Sequence, residues 1–357
     1  MYSINYKSLD TIYELENDWK ELQEGAEMTY FQQYDWNNML AKLNWLHNQH
    51  YEIAFANVRR DNKSLLIAPL FITKDNRYRN YPKGVYLLGD QGWSDYCNLL
   101  YYEFDINAVE FLLKEIKSRY GISSLCVANL QEDSSLYKYL SQRGGVLTDE
   151  VSVCVSLSLP SSIEEYNQML SKNAKQNIRT AYNRVKKDGL TFLFNHDEQH
   201  VNLQEFLLYK QRRASVKDKA ELDLLRKGGK INTSQIIINQ VRKLYYQYIN
   251  FKMPYYTPFE HDVNSHYLTV RNAENNELCA SINYGVCRHR NEIVVMAIAL
   301  NEKYYRYSPG MLGLYDFIVT QIQKQEFTKV DFTRGQENYK YVLGGTSNNN
   351  HKLMLTI

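Results

Sequence analysis

The chain has 357 residues, which at roughly 150 residues per domain suggests about two domains. Lys and Arg total 42 against 40 for Asp and Glu, and the formal charge of +2 provides no overall basic field for nucleic acid. The first residues contain no signal-peptide core, and no apolar run reaches the roughly 18 residues that span a bilayer. The composition therefore predicts a cytoplasmic protein without a membrane span.

Cysteine and histidine spacing predicts no metal site. The five cysteines are scattered, odd in number and form no Cys-x-x-Cys pair, which excludes a disulfide framework and a zinc knuckle. His196 and His200 are four residues apart, as in the zinc motif His-Glu-x-x-His, but the Glu is displaced by one position and no third ligand is evident.

Hydrophobic periodicity in residues 1–158 predicts a mixed α/β lobe. The predicted helices cover residues 11–23, 34–46, 106–119 and 134–142. The predicted strands cover residues 53–58, 64–71, 85–88, 96–100, 124–128 and 151–157. A crossover follows Pro160, where Ser162 is expected to cap a short helix and Glu165 to complete its capping box.

A basic helix at residues 170–189 opens the second half. At about 100° per residue, its apolar and cationic side chains fall on different faces. The cationic face carries Lys172, Lys175, Arg179 and Lys186 without an acidic neighbour before Asp188. Such a face is either solvated or binds a phosphate-bearing substrate, and in the second interpretation Lys175 and Arg179 are substrate contacts.

Further along, the pattern predicts a strand at residues 190–194, helices at 201–214 and 234–249, and a strand meander over 267–300. Its last part, residues 292–300, is nearly all apolar, as in a central strand covered on both faces. Tyrosines cluster at residues 245–256, where they either line a carbohydrate or acyl site or pack at a sheet rim.

Residues 304–340 contain the segment best suited to an anionic ligand. Ser308 is a favoured N-cap residue, Pro309 suits the first helical position and Gly310 permits close backbone approach. The amides up to Met311 would face a phosphate, and Arg306 adds a cation. A helix over residues 311–322, a strand over 329–332, a turn at 333–335 and a short helix within 337–343 are predicted to follow.

These residues resemble the CelD/BcsL-type acetyltransferases of the GNAT superfamily, which are relatives of the FemABX transferases. The resemblance lies in a tyrosine-rich approach, a Ser-Pro-Gly helix start, Asp-Phe, Arg-Gly, an acidic residue and Tyr-Lys. In this chain these positions are Ser308, Pro309, Gly310, Asp331, Phe332, Arg334, Gly335, Glu337, Tyr339 and Lys340. Residues 170–189, 68–71 and 87–100 also resemble the family, whereas Asn301 stands where members often have Asp.

The resemblance implies an α/β protein of two GNAT-like (acyl-CoA N-acyltransferase) lobes, each a mixed sheet flanked by helices. Residues 1–158 would form the first lobe and residues 159–357 the second, which would carry the acyl-CoA site. The implied reaction is acyl transfer from acetyl-CoA or another acyl-CoA to an amine, such as a nucleotide-linked amino sugar in bacterial surface-polysaccharide assembly, with no metal and no nucleic acid.

The implied site residues fall into three groups. The catalytic candidates are Asp331, Glu337 and Tyr339. Residues 306 and 308–311 would bind the cofactor. The candidate substrate contacts are Asp95, Tyr96, Lys175, Arg179, Arg334 and Lys340.

Two other functions remain open. A FemABX-like transferase would use aminoacyl-tRNA, and it would need a larger basic surface than a net charge of +2 indicates. A non-catalytic GNAT-like binding module would not need the intact Ser-Pro-Gly and Tyr-Lys elements.

Overall fold

The computed structural model describes residues 1–47, 51–76, 81–90, 92–198, 201–202, 205–206, 209 and 262–357. In these residues the strands are β1 (Tyr2–Lys7), β2 (Tyr51–Arg60), β3 (Lys63–Thr73), β4 (Gly84–Leu87), β5 (Leu100–Tyr101), β6 (Ser124–Gln131), β7 (Val146–Ser158), β8 (Phe192–Asn195), β9 (Ser265–Asn272), β10 (Leu278–Cys287), β11 (Glu292–Leu300), β12 (Lys329–Arg334) and β13 (Thr346–Thr356). The α-helices are α1 (Glu16–Leu22), α2 (Tyr34–His47), α3 (Ile106–Tyr120), α4 (Ser135–Gln142), α5 (Ile163–Met169), α6 (Lys172–Lys187), α7 (Pro309–Lys324) and α8 (Asn338–Val342).

The described strands form one mixed sheet that runs through both halves of the chain. Its order is β1-β2-β3-β4-β6-β13-β7-β12-β11-β10-β9-β8, with β5 beside β3. The C-terminal strand β13 lies antiparallel between β6 and β7, so the end of the chain completes the sheet of the first half. The long strand β7 pairs with β13 on one side and β12 on the other, and thereby joins the two halves.

The sheet carries two large hydrophobic cores, which lie on opposite faces where the two halves of the chain meet. Cys154 belongs to the first core and Val155 to the second, and successive side chains of a strand point to opposite faces. On β11, Val294 likewise belongs to the first core and Ile293 to the second. Apolar residues of α1 to α4 pack in the first core, and those of α5 to α8 pack in the second.

Local sequence signals explain several helix boundaries. The Asp105 carboxylate accepts hydrogen bonds from the amides of Asn107 and Ala108 at the start of α3, and Gly121 ends this helix with a φ of 61°. At the start of α6 the Ser171 hydroxyl accepts from the Ala174 amide at 3.1 Å. The Ser162 hydroxyl accepts from the Glu165 amide as predicted, but the Glu165 carboxylate bonds to Ser161 instead of Ser162.

The predicted α/β fold class, a mixed sheet flanked by helices, is confirmed, and most predicted elements are present with ends shifted by a few residues. Four details differ. Only Leu100 of the predicted strand 96–100 is in a strand, and residues 9–15 form a 3-10 helix ahead of α1. Neither β1 nor β13 was predicted. The predicted helices 201–214 and 234–249 and the tyrosine cluster at 245–256 lie outside the described residues, apart from a few positions up to Tyr209. The boundary between lobes at residue 158 stays a prediction.

Among the described residues, no helix has the length and apolar character needed to cross a membrane.

Candidate functional site

The central feature of the site is the divergence of two parallel strands. β11 and β12 pair over only three residues each, with Glu292, Ile293 and Val294 opposite Lys329, Val330 and Asp331. Beyond this point β11 continues beside β10, and β12 continues beside β7. The Thr333 hydroxyl donates to the Val295 carbonyl at 3.1 Å, so a side chain replaces the ladder bond where the strands separate.

A β-bulge shapes β11 at the same place. Asn283 pairs with Ala297 and Tyr284 with Val295, which leaves Met296 as the extra residue. The bulge reverses the alternation of side chains, so that Ile298 and Leu300 face the second core together with Ile293 and Val295. This reversal gives the opening between β11 and β12 an apolar wall.

A cavity of about 460 Å³ lies at this opening, on the face of the second core. Its volume is within the range typical of small-molecule sites. Helix α6, the end of β11, the start of α7 and helix α8 form its walls. The lining residues are Asn177, Thr180, Ala181, Arg184, Ile298, Leu300, Tyr305, Ser308, Pro309, Gly310, Met311, Asn338, Tyr339 and Val342.

The start of α7 lines the cavity, but Ser308 does not cap the helix in the predicted way. Ser308 is in the left-handed region with a φ of 52°, and its side chain makes no capping hydrogen bond. Residues 302–307 form a 3-10 helix directly before it, and Ser308 ends this helix in the left-handed conformation. Pro309 occupies the first turn as predicted, and the first intrahelical bond runs from the Leu312 amide to the Ser308 carbonyl. The amides of Gly310 and Met311 therefore precede the helical ladder and suit an anion.

Gly310 is required by packing within the protein. A Cβ atom at this position would lie 2.8 Å from Leu300 Cδ2 and 3.4 Å from Ile298 Cγ2. The distance to Leu300 is shorter than a normal contact between two carbon atoms. The glycine thus lets α7 pack directly against β11. The predicted approach of a ligand to its backbone remains a prediction, and a larger residue here would disturb the helix as well as any ligand.

The cation beside the cavity is Arg184, which was not predicted. Arg306 instead forms an ion pair with Asp188 at 2.9 Å and lies over the Tyr307 ring. The Arg184 guanidinium lines the cavity and donates to the Arg306 carbonyl at 3.1 Å, and no carboxylate among the described residues forms an ion pair with it. The cavity-lining residues of α6 are spaced three or four positions apart, as expected for one face of a helix. This spacing of Asn177, Thr180, Ala181 and Arg184 is the sequence signal that could have identified the face.

Lys175 and Arg179 lie on another face of α6. Both side chains are exposed, neither lines the cavity, and Arg179 donates to the neighbouring Gln176. At about 100° per residue, the cationic face of α6 is nearly opposite its cavity-lining face. The structure therefore does not bring these two predicted substrate contacts together with the cofactor candidates.

Helix α8 contributes Tyr339 to the cavity and holds Lys340 inside the protein. The Tyr339 ring is half-buried and meets the Phe332 ring edge-on, with centroids 6.4 Å apart. Lys340 Nζ donates to the carbonyls of Thr333 at 3.2 Å, Arg334 at 2.7 Å and Gly335 at 3.0 Å, and pairs with Glu337 Oε2 at 3.1 Å. Lys340 thus fixes the loop that leads to Tyr339, and a direct substrate contact would require this network to open.

Asp331 lies on the opposite face of the sheet from the cavity. Its neighbours Val330 and Phe332 belong to the second core, so its side chain points toward the first core. Tyr96 donates to its Oδ2 at 2.7 Å, and the Thr333 amide donates to its Oδ1 at 2.7 Å. Burial raises the pKa of Asp331 to about 6, Lys329 partly opposes the rise, and the nearby Glu292 carboxylate adds to it.

Asp95, Tyr96 and Arg334 join the two halves of the chain. Arg334 forms an ion pair with Asp95 through its Nε and donates from Nη1 to Asn129 Oδ1 at 3.2 Å. Tyr96 is buried and reaches Asp331 across 235 residues of sequence. These three predicted substrate contacts therefore lie close together on the face of the first core, beside Asp331.

The corresponding opening in the first half is filled. β4 and β6 are also parallel and pair only through Val85 with Leu125 and Tyr86 with Cys126. On the side covered by α3 and α4, the remaining space measures about 10 Å³ and is lined by Leu, Val and Ile side chains. This is about the volume that one water molecule needs, so a cofactor does not fit on this side.

No group of three or more His, Cys, Asp or Glu side chains in the described part of the chain is arranged to hold a metal ion. His196 Nε2 instead lies 2.7 Å from Asp316 Oδ2, while His200 is outside the described residues.

Comparisons with known proteins agree with this geometry. Residues 266–341, which contain β11, α7 and β12, match the model of the acetyltransferase (GNAT) domain. A search of curated proteins gives no match. Among solved structures the fold is similar to FemX, with a TM-score of 0.52, 10% identity, and coverage of 99% of this chain and 97% of that one.

Two further solved structures share the fold. The C-terminal domain of a putative lysylphosphatidylglycerol synthetase from Agrobacterium fabrum has a TM-score of 0.51 and 10% identity, with 97% of this chain and 92% of that one covered. L-PGS from Bacillus licheniformis has a TM-score of 0.51 and 9% identity, with 94% and 90% covered. Residues 266–341 therefore match an acetyltransferase (GNAT) domain, which confirms the predicted GNAT-like fold and supports an acyltransferase.

Proposed function

We propose that the protein transfers an acyl group, preferentially acetyl, from acyl-CoA to the amine of a small acceptor such as a nucleotide-linked amino sugar in the cytoplasmic assembly of a bacterial surface polysaccharide. The observation that supports this proposal most strongly is the cavity between α6, α7 and α8 within the matched GNAT segment. The resemblance of the Ser-Pro-Gly and Tyr-Lys elements to CelD/BcsL-type enzymes supports the choice of reaction.

The residues of the cavity fit the chemical character of a CoA thioester. The amides of Gly310 and Met311 and the Arg184 guanidinium offer donors and positive charge to phosphate. Ile298, Leu300 and Val342 provide an apolar wall for the less polar arm. When bound, the thioester supplies an activated acyl group, and the protein's part is to hold it and to exclude water.

Of the three catalytic candidates, Tyr339 is best placed to meet the thioester, because its side chain lines the cavity. Its hydroxyl would protonate the departing thiolate. Glu337 is held by Lys340 one turn away. Asp331 is buried on the opposite face with Tyr96, so it is poorly placed to take a proton from an amine that attacks a thioester in the cavity.

The alternative is a FemABX-like transferase that uses aminoacyl-tRNA. The similarity of the fold to FemX supports this alternative. A thermal-shift screen with acetyl-CoA, longer acyl-CoAs and aminoacyl-tRNA separates the two functions. We expect acyl-CoA to raise the melting temperature of the protein. We also expect the thiol of CoA to be released when an amino sugar is present. Stabilisation by aminoacyl-tRNA without any response to acyl-CoA would reject the proposal.

A further inference from the structure

A second cavity, of about 430 Å³, lies where β4 and β6 diverge, and it differs in character from the first. We call it the polar cavity. Its walls carry an acid, two cations, an amide and two phenol rings. These residues are Asp90, Arg334, Lys352, Asn129, Tyr81 and Tyr86.

The polar cavity contains a buried acceptor that needs a donor. Asp90 Oδ2 is buried and has no hydrogen-bond partner among the described residues. Burial raises the pKa of Asp90 to about 6, although Lys352 and the Cys126 thiol, which is a weak donor, partly oppose this. An unsatisfied buried carboxylate oxygen costs free energy, so a ligand that donates a hydroxyl or N–H to it would be favoured.

The cations in the same cavity are already partly neutralised. Arg334 is paired with Asp95, and Lys352 Nζ lies 3.9 Å from Glu150 Oε2. The cavity therefore offers donors and acceptors together without a strong excess of one charge, which suits a ligand rich in hydroxyl groups better than a multiply charged anion.

Aromatic rings complete the wall. Tyr81 and Tyr86 meet edge-on with centroids 5.3 Å apart, and their hydroxyls bond to the backbone carbonyls of Asp90 and Pro82. The hydroxyls are thus anchored within the protein, and the rings provide an apolar surface against which the C–H face of a sugar ring can pack.

The polar cavity is connected to the acyl-CoA cavity by a short piece of chain. Arg334 lines the polar cavity, and Asn338 lines the first one. Four residues of extended chain span at most about 14 Å, so the two cavities lie near the same loop, on opposite faces of the sheet.

We propose that the polar cavity binds a carbohydrate ring of the acceptor, with Asp90 accepting from sugar hydroxyls, Lys352 donating to them, and Tyr81 and Tyr86 packing against the ring. This inference rests on the proposed function for the role of the ligand as an acceptor. The binding itself does not depend on acyl transfer.

The test is saturation-transfer NMR and titration of the full chain with D-glucosamine and N-acetyl-D-glucosamine, with L-lysine and inorganic phosphate as probes for other ligand classes. Asp90→Asn and Lys352→Met should each weaken saccharide binding at least about tenfold. Asp133→Asn, an exposed carboxylate outside the cavity, is the matched control and should bind like the wild type.

The circular-dichroism spectrum and the urea midpoint of each variant check that it is folded, and a second cavity variant keeps the test valid if one of the two misfolds. The inference is overturned if the wild type binds neither sugar, if only phosphate or lysine binds, or if both cavity variants bind sugar like the wild type. Saccharide binding that depends on Asp90 without any acyl-CoA binding would uphold the inference and reject the proposed function.

Discussion

Replacement of Lys340 by Met separates a structural role from a substrate contact. The Lys340 side chain is 2% exposed, and its ammonium bonds to three carbonyls of the loop at Thr333 to Gly335 and to Glu337. Met has a similar length but no donor, so Lys340→Met removes the donor to three loop carbonyls and the ion pair with Glu337. The same change would leave the fold intact if Lys340 pointed at a substrate.

The expected loss follows from these contacts. The Glu337 side chain is 34% exposed, so water solvates its carboxylate after Lys340 is removed, and the main loss is that of the donor to three carbonyls at about 1 kcal/mol each. We expect the free energy of unfolding of Lys340→Met to fall by about 3 kcal/mol. The double variant with Glu337→Gln should lose less than the sum of the two single changes, because both single changes remove the same ion pair.

Urea denaturation of the purified variants measures these differences. Lys138→Met on the exposed surface of α4 is the control, and it should change stability by no more than about 0.5 kcal/mol. If Lys340→Met is as stable as this control while KM for a substrate rises, the ammonium contacts substrate, and the structural argument is refuted.

Two other variants test the assignments on either face of the sheet. Tyr339→Phe should keep the fold and the KM for acyl-CoA but lower kcat by roughly 10² to 10⁴ if the hydroxyl protonates the thiolate, and wild-type kinetics would show that the ring only packs. Because the pKa of Asp331 is raised to about 6 in the fold, the folded state binds a proton more tightly than the unfolded chain, and wild-type stability should fall as pH rises from about 4 to about 6. Asp331→Asn should show a smaller fall in denaturant titrations, since Asp90, whose pKa is also raised to about 6, still contributes. An equal fall in both proteins would contradict a raised pKa of Asp331.

Local patterns in the sequence predict the elements around the cavity well. Helix α7 and strand β12 follow from periodicity, and the buried face of α6, with Ala174, Ile178, Ala181 and Val185, follows from a helical wheel. Ser308 is the exception at this level. Serine is a favoured N-cap residue, but the preceding 3-10 helix places Ser308 in the left-handed region, where its side chain does not cap α7.

Contacts between distant parts of the chain could not be predicted from the sequence. β13 begins with the polar residues 346–352, which lack the alternation of a strand, yet it lies in the middle of the sheet. The buried amide of Asn350 is satisfied there, since it donates to the Asp95 carbonyl and to Cys154 Sγ. The pairs Tyr96 with Asp331 and Asp95 with Arg334 likewise depend on the joining of the two halves.

The proposal that acyl-CoA binds in the cavity between α6, α7 and α8 is tested most directly by calorimetric titration with acetyl-CoA. The titration compares two variants of α6, one at Arg184 and one at Lys175. Arg184 lines the cavity, and Lys175 is on the other face of α6. The structure predicts that Arg184→Ala weakens binding at least about tenfold, or about 1.4 kcal/mol, with a shallower dependence on salt, while Lys175→Ala binds like the wild type. Loss of affinity in Lys175→Ala alone, with Arg184→Ala unchanged, would place the cofactor on the predicted basic face and contradict this assignment.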